Sequence, residues 1–164
     1  MATNTTGSWS SLLAWPLVGI HATLTPDGKV LTFGTNPYND GVTANMYHDM
    51  WDPVTGEHHF VDHTLTTPGD LFCATAIVLP GTENVMVVGG DASREGHAGY
   101  GISDVNLFNP TTHQVTPVES MAYARWYATS IALPNGQIMV MGGTDANGAG
   151  VAVPRTWRLS LPLA

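Results

Sequence analysis

The sequence predicts an all-β fold in which a four-stranded unit recurs along the chain. Three observations support this: apolar strand pairs recur at a regular spacing, Pro-containing turns join the strands, and several strands carry no charge. The composition agrees, because 18 Gly and 11 Pro among 164 residues suit a protein with many tight turns. Charged residues make up 11% of the chain, and the chain is too apolar for a disordered protein.

The first recurring element is a β-hairpin that occurs three times. Each copy has an apolar strand, a turn that contains Pro, a second apolar strand and then glycine. The first turn carries Asp-Gly and the third carries Asn-Gly, which are strong short-range hairpin signals. The second strands are free of charge, which predicts burial on both faces between neighbouring sheets. The copies are Gly19–Gly34, Cys73–Gly90 and Tyr127–Gly143.

The second recurring element fills the intervals between the hairpins. Tyr47–Val61 and Asp104–Val118 each have an aromatic strand, an Asp-Pro or Asn-Pro turn and another strand. The interval from Cys73 to Tyr127 sets the period of the repeat at about 54 residues. Four strands per repeat, a period near 50 and Gly-Gly after the second strand are typical of kelch blades. We therefore predict a kelch-type β-propeller fragment of about two and a half four-stranded blades, with a β-sandwich as the alternative.

The predicted blades divide the chain into five segments. A propeller closes with roughly four to eight blades, so this chain would leave apolar sheet faces open, and open faces favour aggregation. We expect a truncated or frame-shifted chain, or closure by self-association through the open blade faces. The tail is expected to form neither the third nor the fourth strand of its blade. The segments are a lead-in at 1–18, blade one at 19–68, blade two at 69–121, a partial blade three at 122–150 and a divergent tail at 151–164.

Net charge limits the classes of partner. The formal charge is −8 with only five Lys and Arg, whereas nucleic acids and anionic membrane surfaces bind basic faces. We therefore expect neither nucleic acid nor a membrane as a partner. The N-terminal residues lack a basic segment before an apolar run, so no signal peptide is evident. Cys73 is the one cysteine, which excludes a disulfide framework within the chain.

The segments that open blades two and three carry a more specific signal. Asp70–Cys73 and Met121–Tyr127 resemble the corresponding segments of galactose oxidase and the glyoxal oxidase-like kelch proteins, and Trp15–His21 resembles the first blade of bacterial members. The resemblance covers nearly the whole chain. It implies that Cys73 and Tyr127 begin the inner strands of adjacent blades. It also implies that a thioether bond joins them, from sulfur to the ring carbon beside the phenol oxygen.

The same resemblance implies an oxidase that uses copper. The crosslinked Tyr127 would bind copper and hold a radical, and the two together would oxidise a primary alcohol or an aldehyde with O2, giving H2O2. The substrate would be a small-molecule alcohol, aldehyde or carbohydrate, and the family implies secretion. The family's remaining ligands, a second tyrosine and two histidines, lie in later blades and a C-terminal domain. We therefore expect a fragment that is inactive alone.

The register of the repeat supports the pairing of Cys73 with Tyr127 independently. Each residue lies seven positions before the turn proline of its hairpin, Pro80 or Pro134. Equivalent positions of adjacent blades sit side by side around a propeller axis. The two side chains should therefore be able to touch, as a crosslink requires.

Other residues are weaker candidates for this site. His21 lies in a blade strand and is expected to be hydrogen-bonded there rather than to bind a metal. Tyr47-His48 spells the family's Tyr-His pair in a different context and is interpreted as coincidence. Asp145 follows Gly-Gly-Thr, whereas galactose oxidase has a Trp just after Gly-Gly, which argues against a galactose-type substrate.

Strand alternation separates some neighbouring side chains. Trp126 is expected to point away from Tyr127, because successive strand residues face opposite sides of a sheet. Adjacent His58 and His59 are expected on opposite faces of an outer strand for the same reason. Together with His63 they form at most a weak copper or zinc site.

Two alternatives to an oxidase stay open. The chain could be a non-catalytic kelch propeller module that binds a partner, because fold alone does not determine function. It could also be a non-functional product of a truncated gene. Covalent linkage of Cys73 to Tyr127 distinguishes the oxidase from the binding module.

Overall fold

A computed structural model describes residues 7–35, 47–62, 71–91, 100–150 and 155–157. In those ranges the chain forms three antiparallel β-sheets and no helix, which confirms the predicted all-β class. The same ranges hold no helix with the length and apolarity that crossing a membrane requires. The bounds of the five segments predicted from the sequence remain a prediction.

The first sheet, called blade one, is a meander in which consecutive strands are neighbours. Its first turn is closed by Thr25, whose N–H donates to the Lys29 carbonyl at 2.9 Å. Gly28 in this turn has a φ of 83°, a conformation that glycine adopts without steric cost. The strands are β1 (Val18–Leu24), β2 (Val30–Thr35), β3 (Tyr47–Trp51) and β4 (His58–Asp62), in the order β1-β2-β3-β4.

The second sheet, called blade two, repeats this arrangement. Asn109 caps its outer turn, because its Oδ1 accepts hydrogen bonds from the N–H groups of Thr111 and Thr112 at 2.9 Å each. Asp52 caps the equivalent turn of blade one through the N–H of Val54 at 2.8 Å. Both caps belong to the Asx-Pro dipeptides that predicted turns. The strands are β5 (Thr75–Val78), β6 (Val85–Val88), β7 (Val105–Asn109) and β8 (Gln114–Pro117).

The third sheet, called blade three, has three described strands, and the second of them along the chain lies in the middle. Ile138, Met139 and Val140 of this middle strand pair in antiparallel register with residues 155–157 of the tail. The prediction that the tail forms no third strand is therefore wrong, because three tail residues reach the free edge of the middle strand and satisfy its backbone groups. The strands are β9 (Thr129–Ala132), β10 (Ile138–Met141) and β11 (Arg155–Trp157).

The blades pack face to face, and β6 lies in the middle of the packing. All four residues of β6 are buried. Val87 belongs to a cluster that includes Phe33 of blade one, whereas Met86 belongs to a cluster that includes Ile138 of blade three. The predicted burial of this apolar strand on both faces is confirmed. In β10 only alternate residues are buried, because no further sheet of the described chain covers its outer face.

Strand direction decides which residues of different blades meet. The first strands β1, β5 and β9 are neighbours, and the Thr75 and Ser130 hydroxyls of β5 and β9 are 2.8 Å apart. The residues that precede β5 and β9 therefore lie together at one end of the blades. The β1–β2, β5–β6 and β7–β8 turns lie at the opposite end, because each strand reverses the direction of the one before it.

The packing predicts that shortening a side chain of β6 lowers the stability of the fold much more than shortening an exposed side chain does. Met86 is fully buried, so Met86→Ala should lower the free energy of unfolding by about 2–5 kcal/mol through lost burial and a cavity. Val54 is 92% exposed, and Val54→Ala should change it by less than about 0.5 kcal/mol. Urea unfolding followed by tryptophan fluorescence measures both. Equal effects of the two substitutions would contradict the placement of β6 between two blades.

Candidate functional site

Cys73 and Tyr127 meet where blades two and three adjoin. The Tyr127 N–H donates to the Cys73 carbonyl at 3.1 Å, which joins the two backbones. The Tyr127 phenol O–H also donates to the Cys73 sulfur. This hydrogen bond, together with partial burial, raises the pKa of Tyr127 because both favour the neutral phenol. The structure therefore brings together the two side chains that the sequence singled out.

Both residues have an unusual backbone conformation. The φ angle is 61° at Cys73 and 57° at Tyr127, in the left-handed region that side chains other than glycine rarely adopt. A turn closed by the Ala74 N–H on the Leu71 carbonyl at 2.9 Å holds the first of them. Strained residues persist where the surrounding structure over-determines them, and they cluster at functional sites. Two such residues at equivalent positions of adjacent blades favour a functional site at this point.

The segment before Tyr127 is fixed by hydrogen bonds on both sides. Arg125 N–H donates to the Ile102 carbonyl at 2.8 Å, and Trp126 exchanges two backbone hydrogen bonds with Thr144 at 2.8 and 2.9 Å. The Arg125 side chain is 1% exposed and donates from Nη1 to the Gly142 carbonyl at 2.6 Å. Tyr127 therefore follows a segment that has little freedom to move.

Glycine permits the close approach that these hydrogen bonds need. A Cβ on Gly101 would lie 2.6 Å from the Arg125 backbone nitrogen and against the Thr144 carbonyl oxygen. Both contacts are with backbone atoms, which cannot move aside as a side-chain tip could. Gly101 is thus required for the path of the chain that leads to Tyr127.

Trp126 lies beside Tyr127 instead of on the opposite face. Their ring centroids are 4.4 Å apart with an interplanar angle of 71°, an edge-to-face contact. The predicted alternation is wrong here because it assumes an extended backbone, and the left-handed φ of Tyr127 breaks that pattern. Trp126 Nε1 is buried and has no hydrogen-bond partner in the described part of the chain.

His21 extends the aromatic surroundings of the pair from blade one. Its ring stacks on Phe33 at a centroid distance of 5.4 Å and lies 6.3 Å from the Tyr127 ring. Burial lowers the pKa of His21 and so favours the neutral imidazole. Nε2 is buried, and no described residue hydrogen-bonds to it. The expectation of a hydrogen-bonded His21 is therefore wrong for this atom, because the side chain packs against an aromatic ring.

The pair presents one candidate metal ligand. Cys73 is fully buried, whereas the Tyr127 side chain is 51% exposed. A phenolate oxygen is a donor suited to Cu(II), so the chemistry of Tyr127 fits copper. Over the described ranges no group of three or more His, Cys, Asp or Glu side chains could hold a metal ion. Cys73 and Tyr127 therefore supply one candidate copper ligand, and the described residues around them do not complete the site.

The other histidine candidates lie away from this pair. Tyr47 and His48 are buried, with rings against Phe60 and Phe108 respectively. His63, like Asp70, lies outside the described residues.

The predicted separation of His58 and His59 on the outer strand of blade one is confirmed. His58 Nδ1 lies 2.6 Å from Oδ2 of Asp49. The His59 ring lies 4.2 Å from the ring of His113 in blade two. Sequence reasoning missed His113, because no motif marks a contact between different blades.

Comparison with known proteins places these observations in context. No family model matches the chain. Two galactose oxidases of Gibberella zeae are each 28% identical over 152 residues, which is 87% of this chain and 20% of each oxidase. Art an 7 of Artemisia annua is 29% identical over 91 residues, which is 56% of this chain and 14% of that protein. The chain thus spans about a fifth or less of the curated relatives it matches.

A solved structure shows the same arrangement of strands. It is a fungal alcohol oxidase of the AA5 family in complex with copper, and it matches 93% of this chain with a TM-score of 0.68 at 19% identity. The match covers 31% of that oxidase. The similarity establishes the fold as part of a β-propeller, which confirms the predicted fold class. The curated relatives confirm the predicted resemblance to the galactose oxidase and glyoxal oxidase-like proteins.

The close backbone contacts of Gly101 with Arg125 and Thr144 predict that two glycine substitutions have different effects on stability. Gly101→Ala should lower the free energy of unfolding by about 1–3 kcal/mol, because backbone on two sides must shift. Gly150 also adjoins Thr144, but a Cβ there would meet nothing within 4 Å. Gly150→Ala should therefore change stability by less than about 0.5 kcal/mol. Chemical denaturation of both variants tests this prediction. A Gly101→Ala protein as stable as the parent would contradict the close backbone approach at Gly101.

Proposed function

We propose that this galactose oxidase and glyoxal oxidase-like chain supplies the Cys–Tyr part of a copper radical oxidase site. In this proposal Cys73 and Tyr127 become a single thioether-linked cofactor. The observation that carries the proposal is the hydrogen bond from the Tyr127 phenol to the Cys73 sulfur. The left-handed backbone at both residues supports the proposal, because strained residues cluster at functional sites and folding of the propeller does not require this strain.

The contact suits formation of a thioether. A sulfur that accepts a hydrogen bond from the phenol lies near the ring carbon next to the one that bears oxygen. Joining sulfur to that carbon removes the thiol hydrogen and one ring hydrogen, and O2 is the acceptor of the two electrons and two protons. Full burial of Cys73 keeps its sulfur from other oxidants and thiols.

Each residue then has a separate task. The phenol oxygen of Tyr127 is the copper ligand, and the thioether on its ring donates electron density that eases one-electron oxidation. Trp126 packs against the Tyr127 ring at a centroid distance of 4.4 Å and helps to hold it in place. The Tyr127 oxygen would hold copper, which when bound would supply one-electron redox chemistry, and the Tyr127 ring, once oxidised by one electron, would take up the other electron that leaves the substrate.

The proposed reaction converts a primary alcohol to an aldehyde, or an aldehyde to a carboxylic acid, with O2 reduced to H2O2. This reaction is supported by the similarity of the chain to two galactose oxidases and to a copper-bound alcohol oxidase. A galactose-type sugar is disfavoured, because Asp145 follows Gly-Gly-Thr where galactose oxidase has a Trp just after Gly-Gly. The remaining copper ligands are proposed to come from outside this stretch, so the chain alone would have no turnover. Self-association through the open blade faces is proposed as a further property.

Mass spectrometry of the crosslink tests this function. After aerobic incubation with excess Cu2+, the chain should lose the mass of two hydrogens, and digestion should yield one linked peptide that contains Cys73 and Tyr127. Cys73→Ser and Tyr127→Phe should each abolish the mass loss. Tyr123 is a matched control, because it is exposed to a similar extent, 46% against 51%. Tyr123→Phe should leave the crosslink intact.

An alternative function gives a different result in the same experiment. A non-catalytic propeller module would keep a free thiol, so Cys73 would be fully alkylated once the copper-treated protein is unfolded. Full alkylation with no linked peptide would contradict the proposed oxidase cofactor in this chain.

A further inference from the structure

Two histidines from different blades form a close pair at the end of the blades opposite to the Cys73–Tyr127 pair. His59 lies on β4 of blade one and His113 lies in the β7–β8 turn of blade two. Their ring centroids are 4.2 Å apart with an interplanar angle of 59°. His59 is exposed and His113 is partly buried, so a small ion has access to the pair.

The backbone at His113 sets this residue apart. Its N–H donates to the Asn109 carbonyl at 2.8 Å, as the Gly56 N–H donates to the Asp52 carbonyl at 2.8 Å in blade one. The two turns are thus equivalent, and both residues have a left-handed φ, 57° at His113 and 76° at Gly56. Glycine satisfies this position without strain. Glycine would fold this turn with less strain than His113 does, so folding of the turn alone does not call for an imidazole here.

The surroundings of His113 leave one ring nitrogen ready to bind. A ring nitrogen of His113 hydrogen-bonds to the Pro110 carbonyl, and in the neutral tautomer that donates there the other nitrogen keeps its lone pair. Stacking on Phe108 at a centroid distance of 6.4 Å orients the ring. Burial, followed by the nearby His59, lowers the pKa of His113. The ring is therefore neutral at pH 7, as a metal ligand must be.

We propose that His59 and His113 form a two-histidine site for a divalent first-row transition metal ion, with Zn2+ as the representative, that joins blade one to blade two. Imidazole suits Zn2+ and its neighbours in the series. No third His, Cys, Asp or Glu completes the group among the described residues. Two imidazoles leave further coordination positions of the ion open to other ligands.

The charges around the site allow a cation to bind. Lys29 of the β1–β2 turn lowers the pKa of His113 and Asp27 raises it, and these two opposite charges pair with each other at 3.1 Å. The chain as a whole carries a formal charge of −8, which favours the approach of a cation.

This site is separate from the Cys73–Tyr127 pair. That pair precedes β5 and β9 at one end of the blades, whereas the β7–β8 turn lies at the other. The proposed ion would link the outer strand of blade one to blade two and stabilise the folded chain by mass action, because the unfolded chain does not hold the two rings together.

Zn2+ titration of the full chain by isothermal calorimetry tests the proposal. We expect binding that Cys73→Ser leaves unchanged, and a higher thermal midpoint when Zn2+ is present. His113→Gly should weaken binding by on the order of tenfold or more. The apo form of this variant should unfold at the same denaturant concentration as the parent or at a higher one, because glycine suits the turn.

A second variant guards against an indirect effect. His59 is an exposed strand residue, so His59→Gln should keep the fold and lose Zn2+ binding to the same extent. Retention of the parent's affinity in either variant would overturn the proposal. So would loss of binding in Cys73→Ser, because that result would place the ion at the other end of the blades.

Discussion

Face-to-face packing of consecutive blades is the constraint on which the rest of this structure depends. β6 is apolar at every position, so it is stable only between two other sheets, and it has blade one on one side and blade three on the other. The packing sets the relative position of the three first strands. It therefore also determines which side chains meet at the two ends of the blades.

At one end this packing aligns equivalent positions of two repeats, and the alignment produces the contact of Cys73 with Tyr127. The contact requires a left-handed backbone at both residues and a glycine-lined path for Arg125 and Trp126. The left-handed backbone costs stability. A propeller fragment that only needed to fold would gain from losing that strain, which is why we connect it with chemistry at the Tyr127 ring.

At the other end the same packing brings an outer strand of one blade to a turn of the next. The repeat itself would place glycine at residue 113, as it does at residue 56. The departure from the repeat coincides with the close approach of His59. The two ends of the blades thus show the same relation: residues with unexpected backbone conformations lie where two blades meet.

The sequence predicted much of this fold for clear physical reasons. Turn dipeptides such as Asp-Gly and Asn-Pro have local conformational preferences, so the hairpins and caps were visible in the chain. The resemblance implies the Cys73–Tyr127 pairing, and the repeat register, which depends on counting residues, supports it independently. His59 and His113 lie at non-equivalent positions of their repeats, so the repeat register could not predict their contact.

Two wrong predictions have a similar physical origin. Alternation predicts Trp126 and Tyr127 on opposite faces, but alternation holds only for an extended backbone and fails beside a left-handed residue. The tail sequence predicts no blade strand, whereas a free edge at β10 accepts any strand that can supply hydrogen bonds. In both places tertiary structure overrides a local sequence pattern.

Disulfide trapping tests the central claim most directly, because it depends on geometry and not on copper chemistry. Cys73 is the one cysteine of the chain, so Tyr127→Cys creates a single pair. The backbone hydrogen bond of 3.1 Å joins the backbones of these residues, and a disulfide needs their Cα atoms within roughly 7 Å. Mild oxidation should give an intramolecular disulfide in Tyr127→Cys and none in Tyr123→Cys, as measured by mass and thiol titration. Free thiols in oxidised Tyr127→Cys, or equal trapping in both variants, would contradict the packing of blades two and three described above.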